Sequence, residues 1–196
     1  MDEVLAEFSR LLRRRLELGT FTTEDAVRYT FFYALLSKGR VQPHEIILEW
    51  PHPNIARTQI DTYVASSSGM SLAIEFKYDR EIPSGQAIPK PQTAGELFKD
   101  MDWLVRIADY PSMRRILVYL ANRLMVTYFS NAENGPTSFF GLGKGTRLRV
   151  DDSYLIGKPA TFVKSLGVQP RFQLECLWSE SMPKQHELRV YKVVHL

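Results

Sequence analysis

Residues 71–78 read Ser71-Leu72-Ala73-Ile74-Glu75-Phe76-Lys77-Tyr78, and their alternation sets the fold class. On an extended strand side chains point to opposite faces in turn, so Leu72, Ile74, Phe76 and Tyr78 share an apolar face. Ala73, Glu75 and Lys77 share the other, with the carboxylate and the ammonium about 7 Å apart along the strand. Just upstream, Gln59-Ile60-Asp61-Thr62-Tyr63-Val64 repeats the pattern, with Ile60, Thr62 and Val64 on one face and Asp61 on the other. Ser66-Ser67-Ser68-Gly69 between the two runs reads as a hairpin loop, which sets Asp61 and Glu75 on neighbouring strands. Two carboxylates held on rigid strands are what a hard divalent cation takes, its remaining positions going to water and substrate phosphate. Lys77 beside them would orient an attacking water or offset charge growing on phosphorus.

Working outward, Glu45 to Trp50 forms an earlier strand, closed by Pro51-His52-Pro53, and the three strands make an antiparallel meander. Glu49 projects from the first of them, either as a further acidic neighbour or as an edge-strand charge. Ahead of the strands, Val4, Leu5, Phe8, Leu11, Leu12 and Leu16 recur at helical spacing, predicting a helix over 2–18 that ends near Gly19. A second helix begins at Thr22 or Thr23, whose hydroxyl can cap it, carries Glu24 and Asp25 in its first turn, and stops at Ser37-Lys38-Gly39. Beyond the third strand, residues 82–91 hold four prolines and glycines and read as a loop. Thr93-Ala94-Gly95-Glu96 is a capping-box pattern predicting a helix over 94–109, with Gln92 at its start and Asp100 and Asp102 facing solvent. Arg115 to Ala121 is a strand buried on both sides, and Leu124 to Phe129 is either strand or short helix. Residues 131–170 are rich in Gly, Pro, Ser and Asn, and strands follow at Phe172 to Trp178 and Leu188 to Val194.

The chain has 196 residues, 44% hydrophobic and 24% charged, which is a balance able to bury a core and too small for two full domains. One domain over 1–196 is expected, with 1–20 an N-terminal helix and 131–196 an extension of the core. No apolar run approaches the roughly 20 residues of a membrane helix. The acidic Met1-Asp2-Glu3 start is unlike a secretory leader, and the lone Cys176 suits a reducing cytoplasm as a small buried hydrophobe. A net charge of +3 permits nucleic acid without arguing for it. Gly141-Leu142-Gly143-Lys144-Gly145-Thr146 fails as a phosphate loop, because Ser138 and Gly145 stand where a Gly and a Ser or Thr are required. It reads as a turn from which Arg147 and Arg149 could touch a DNA backbone. His44, His52, His186 and His195 have no metal-ligand spacing.

Asp61 followed by Glu75-Phe76-Lys77, in the order helix, three antiparallel strands, helix, strand, resembles the PD-(D/E)XK nuclease superfamily over roughly residues 22–121. Ile60 stands where that motif has its Pro. The C-terminal Leu174-Glu175-Cys176-Leu177-Trp178 and Leu188-Arg189-Val190-Tyr191 resemble an uncharacterised bacterial group of the same superfamily. The resemblance implies an α/β fold with a restriction-endonuclease-like core, a central mixed sheet flanked by helices. It also implies a Mg²⁺-dependent deoxyribonuclease, Mn²⁺ substituting, with Asp61, Glu75 and the Phe76 carbonyl as metal ligands, Lys77 as catalytic lysine and Glu24 as auxiliary acid. Arg57, four residues before Asp61 and on its face of an extended chain, and Gln92 are the expected DNA contacts; DNA is the partner and the assembly a homodimer. The rival readings are a non-catalytic DNA- or protein-binding module on the same fold, and an interaction subunit using residues 131–170.

Overall fold

The computed structural model describes residues 1–38, 41–65, 69, 71–79, 89–107, 112–133 and 136–196. The expected hairpin residues 66–68, the loop residues 82–88, Gly39 and residues 108–109 at the expected end of the third helix lie outside that set. β4 (Arg114–Ala121) explains the architecture. Ile116, Val118 and Leu120 enter one apolar cluster, and Leu117, Tyr119 and Ala121 enter a second on the opposite face. A strand buried on both faces has to lie inside a sheet covered on both sides.

Among the described residues that sheet has seven strands in the order β1-β2-β3-β4-β7-β6-β5. They are β1 (Ile46–Pro51), β2 (Gln59–Ala65), β3 (Ser71–Tyr78), β4, β5 (Arg147–Val150), β6 (Phe172–Met182) and β7 (His186–His195). β1, β2 and β3 form the expected antiparallel meander, β3 and β4 run parallel, and the remaining neighbours are antiparallel, so the sheet is mixed. It is therefore an α/β structure with helices on both faces.

On one face lie α1 (Asp2–Glu17) and α2 (Glu24–Ser37). Val4, Leu5, Phe8, Leu12 and Leu16 form the buried stripe of α1, and the Thr23 hydroxyl caps α2 by accepting from the Ala26 amide at 3.2 Å. Phe31 meets Phe8 edge-on at 5.2 Å and Phe76 of β3 at 5.5 Å, which pins α2 over the third strand. The other face carries α3 (Lys90–Val105), α4 (Arg123–Ser130), α5 (Thr137–Phe140) and α7 (Ala160–Leu166). α3 begins before the capping box: Pro91 lies in its first turn, where a fixed φ helps and a missing amide costs nothing, and Thr93 is inside the helix. At Gly95, α7 comes so close that a Cβ would sit 2.4 Å from the Phe162 carbonyl oxygen.

The ambiguous 124–129 segment is helical, because Asn122 caps it by accepting from the Met125 amide at 2.9 Å. Residues 131–170 are not featureless; they hold α5, β5, α6 (Asp152–Leu155) and α7. Cys176 is fully buried, as its sequence setting suggests. Among the described residues no helix is long and apolar enough to cross a membrane.

Candidate active site

Asp61, Glu75 and Lys77 come together where β2 and β3 part. The β2–β3 ladder runs from Ala65 opposite Ser71 to Thr62 opposite Ile74 and stops one pair short of Asp61 and Glu75. The β1–β2 ladder skips the same level, passing from Leu48–Thr62 to Trp50–Ile60, and Glu49 there has a left-handed φ of 49°. Ile60 and Tyr63 pack into the same cluster although three residues apart, so the period-two alternation of β2 breaks at Asp61. The break turns the Asp61 carboxylate towards the gap between the strands, where it replaces the missing backbone acceptor. Its Oδ2 accepts from the Phe76 amide at 2.8 Å, and Glu75 Oε2 accepts from the Asp61 amide at 3.3 Å.

Farther along the opened edge, Glu24 of α2 accepts from the Tyr78 amide at 2.9 Å. Asp79, just past the strand, donates its amide to Leu120 of β4 at 3.2 Å. In a parallel ladder alternate residues direct both backbone groups to the neighbour. Glu75 and Lys77 thus turn their backbones to β4, and Phe76 and Tyr78 turn theirs, the Phe76 carbonyl included, to the open side.

The side chains carry an excess of acid. Lys77 Nζ lies 3.1 Å from Asp100 of α3, whose carboxylate is buried against the sheet rather than solvated. Asp102 is buried too and pairs with Arg106, because α3 is covered by the sheet on one side and by α7 on another. Asp79 accepts from the buried Tyr119 hydroxyl. Burial is the largest influence on Glu24, Asp61, Asp79 and Asp100 and pushes each above the usual carboxylate range. Glu75 is raised furthest, by burial first and then by Asp61 and Asp100. Burial opposes the Lys77 charge as well, but Asp100, Glu24 and Asp79 outweigh it and hold the ammonium above its ordinary value. Lys77 acts on all five carboxyls in the favourable sense, so it is their common counter-charge.

Arg28, one helical turn after Glu24, is a second cation that the sequence reading passed over. Its guanidinium bridges Asp61 Oδ1 and Glu49 Oε1, each at 2.8 Å. The i, i+4 spacing from Glu24 was the available signal, since it puts both side chains on one face of α2.

Of the other expected contacts, Gln92, Arg147 and Arg149 are paired and Arg57 stands in a turn. Arg57 is exposed in a turn with a left-handed φ of 61°, so the chain there is not extended and face-sharing with Asp61 does not follow from alternation. Gln92 sits in the first turn of α3 and donates to Glu96 at 3.1 Å. Arg147 and Arg149 pair with Glu175 and Asp151. His52 is structural: its Nδ1 accepts from the Asn54 and Ile55 amides, leaving Nε2–H to donate to the Trp103 carbonyl at 2.9 Å.

The donors at the strand gap are all oxygen: the Asp61 and Glu75 carboxylates and the Phe76 carbonyl. Among the described residues no three His, Cys, Asp or Glu side chains gather as a metal-binding group. A cation here would draw on two carboxylates and a carbonyl and keep several waters, which suits Mg²⁺ better than metals that demand a full protein cage. Compared with protein-family models, curated proteins and solved structures, the chain gives no match.

Proposed function

We propose that the chain is a Mg²⁺-dependent nuclease with a restriction-endonuclease-like core, hydrolysing DNA phosphodiester bonds at the gap between β2 and β3. The observation that carries the reading is the parting of these strands at Asp61 and Glu75, with the Lys77 ammonium within the same acidic cluster. In this reading Asp61, Glu75 and the Phe76 carbonyl hold the ion. Bound there, Mg²⁺ would act as a Lewis acid on the phosphate and lower the pKa of a coordinated water.

The chain's own groups do the rest. The Phe76 amide fixes Asp61 Oδ2, and the Asp61 amide fixes Glu75 Oε2, so both carboxylates are oriented before substrate arrives. Lys77 is the ammonium that orients water or offsets the charge growing on phosphorus, and Asp100 holds it until then. Glu24 ties α2 to the end of β3 and acts as the auxiliary acid. Arg57 and Gln92 remain proposed DNA contacts, and a homodimer would present two such gaps to a duplex.

One observation favours a non-catalytic DNA- or protein-binding module on this fold: Asp61 and Lys77 are both already engaged, by Arg28 and Asp100. A single assay separates the readings. Supercoiled, linear and single-stranded DNA are incubated with wild type and Lys77→Ala in Mg²⁺, Mn²⁺ or EDTA. The nuclease reading expects metal-dependent cleavage that EDTA abolishes and that Lys77→Ala lowers by about 10²–10⁴-fold with DNA affinity nearly intact. Binding without cleavage in any metal would establish the module instead, and a fully active Lys77→Ala protein would remove the lysine's assignment.

A further inference from the structure

Arg28 occupies the position a cation would take. Asp61 Oδ2 is committed to the Phe76 amide, so Oδ1 is the oxygen left to share, and Arg28 stands on it at 2.8 Å. The Arg28 side chain is only 10% exposed, yet its buried Nε has no hydrogen-bond partner among the described residues, so the guanidinium is not fully satisfied where it lies. Two further carboxylates stand beside it. Glu49 holds Nη1 at 2.8 Å, and Asp25, one turn earlier on α2, lies 3.9 Å from Nη2. Both are largely in solvent, with side chains 53% and 66% exposed. Glu49 is presented by a left-handed backbone, a conformation a glutamate adopts only where the surroundings impose it. These are places to which a guanidinium could shift without leaving α2.

We propose that Arg28 is a positioning residue that serves as an internal cation on Asp61 and exchanges with the divalent ion, its guanidinium then resting on Glu49 and Asp25. The inference rests on the metal reading above. The physical ground is that a guanidinium and a divalent ion on one carboxylate oxygen repel strongly, and the more so out of water. While the ion is away, Arg28 offsets the charge of Asp61 and keeps the carboxylate aimed into the gap. When the ion arrives, the buried end of the bridge breaks and the exposed end remains. Metal affinity is thereby set by the strength of an arginine bridge as well as by the ligands.

The test is calorimetric titration of Mn²⁺ into wild type, Arg28→Gln, Glu49→Gln and the double variant, with thermal melting of each metal-free protein. Exchange requires Arg28→Gln to bind Mn²⁺ about tenfold tighter or more, a gain that a damaged structure would not produce. It requires Glu49→Gln to bind more weakly, since Arg28 then has less to move to, and requires that weakening to vanish in the double variant. Should Arg28→Gln not fold, Arg28→Met takes its place in the cycle, removing the charge while keeping a long apolar stem in the buried position. Equal or weaker binding by the Arg28 variant overturns the exchange while leaving the metal site standing. A Glu49→Gln effect that persists in the double variant overturns it too, by making Glu49 a ligand. No Mn²⁺ binding by any of the four proteins refutes the metal site and the exchange together.

Discussion

Replacing Lys77 by Met should destabilise the protein in a pH-dependent way, because one ammonium compensates Glu24, Asp61, Glu75, Asp79 and Asp100. The Lys77–Asp100 contact of 3.1 Å corresponds to about 5 kcal/mol of gross attraction at an effective dielectric of about 20. Desolvation returns much of that. With side chains 30% and 11% exposed, the pair falls between surface bridges, worth about 0–1 kcal/mol, and buried ones, whose rupture costs about 3–5 kcal/mol. A loss of about 2–3 kcal/mol at pH 8 is expected. The five carboxyls already have folded-state pKa values above their unfolded ones, so the folded state binds more protons and stability declines as pH rises through the folded values. Without Lys77 they rise further and the decline steepens. At about pH 3.5, below the ordinary carboxylate values of 3.8 and 4.5 from which all five are raised, protonation removes most of the repulsion and the loss should shrink to about 1 kcal/mol or less. Urea denaturation of both proteins at the two pH values measures it. A loss below about 0.5 kcal/mol at pH 8, or the same loss at both, would show that Lys77 is a surface charge and refute the shared-counter-charge argument.

Glu75→Gln removes the most strongly raised carboxyl, so its melting temperature should exceed that of wild type at pH 8 and match it at pH 4, below the unfolded-state pKa; a lower value at pH 8 would mean the charged form is the one the fold favours. Gly95→Ala sets a gain of about 1 kcal/mol in helix propensity against about 1–3 kcal/mol of overpacking on the backbone of α7. A net loss of up to about 2 kcal/mol in denaturant unfolding is expected, because the neighbour at 2.4 Å is a carbonyl oxygen and not a flexible side-chain tip; a stabilised variant would show that α7 yields freely.

The strand at 71–78 was legible because its two faces differ so sharply, and the meander with it, because three short runs are separated by strong turn residues. From those two facts Asp61, Glu75 and Lys77 could be brought near one another. The break in alternation at Asp61 was not legible, since it depends on where two ladders end and not on the order of residue types. Asp100 was misjudged because a charged helical residue normally faces water; yet Leu97 and Leu104 flank it at helical spacing, and α3 is enclosed on more than one side. Arg28 was overlooked for a related reason, as its partners come from β1 and β2 and only its i, i+4 spacing from Glu24 marks it locally. In residues 137–166 the helices have four to seven residues, too few for a period of 3.6 to register.

The place of β7 has a consequence in time. It follows the other six described strands in sequence, yet it lies between β4 and β6, hydrogen-bonded to both. As the polypeptide emerges from the ribosome, the meander and β4 can assemble first, carrying Asp61, Glu75 and Lys77 with them. The free edge of β4 then stays open until residues 186–195 have been made. Such an edge, apolar on both faces, is a template for the wrong strand of another chain. Synthesis of β7 therefore closes that edge, and losses of yield on slow translation or on termination before β7 should trace to this one unfilled slot.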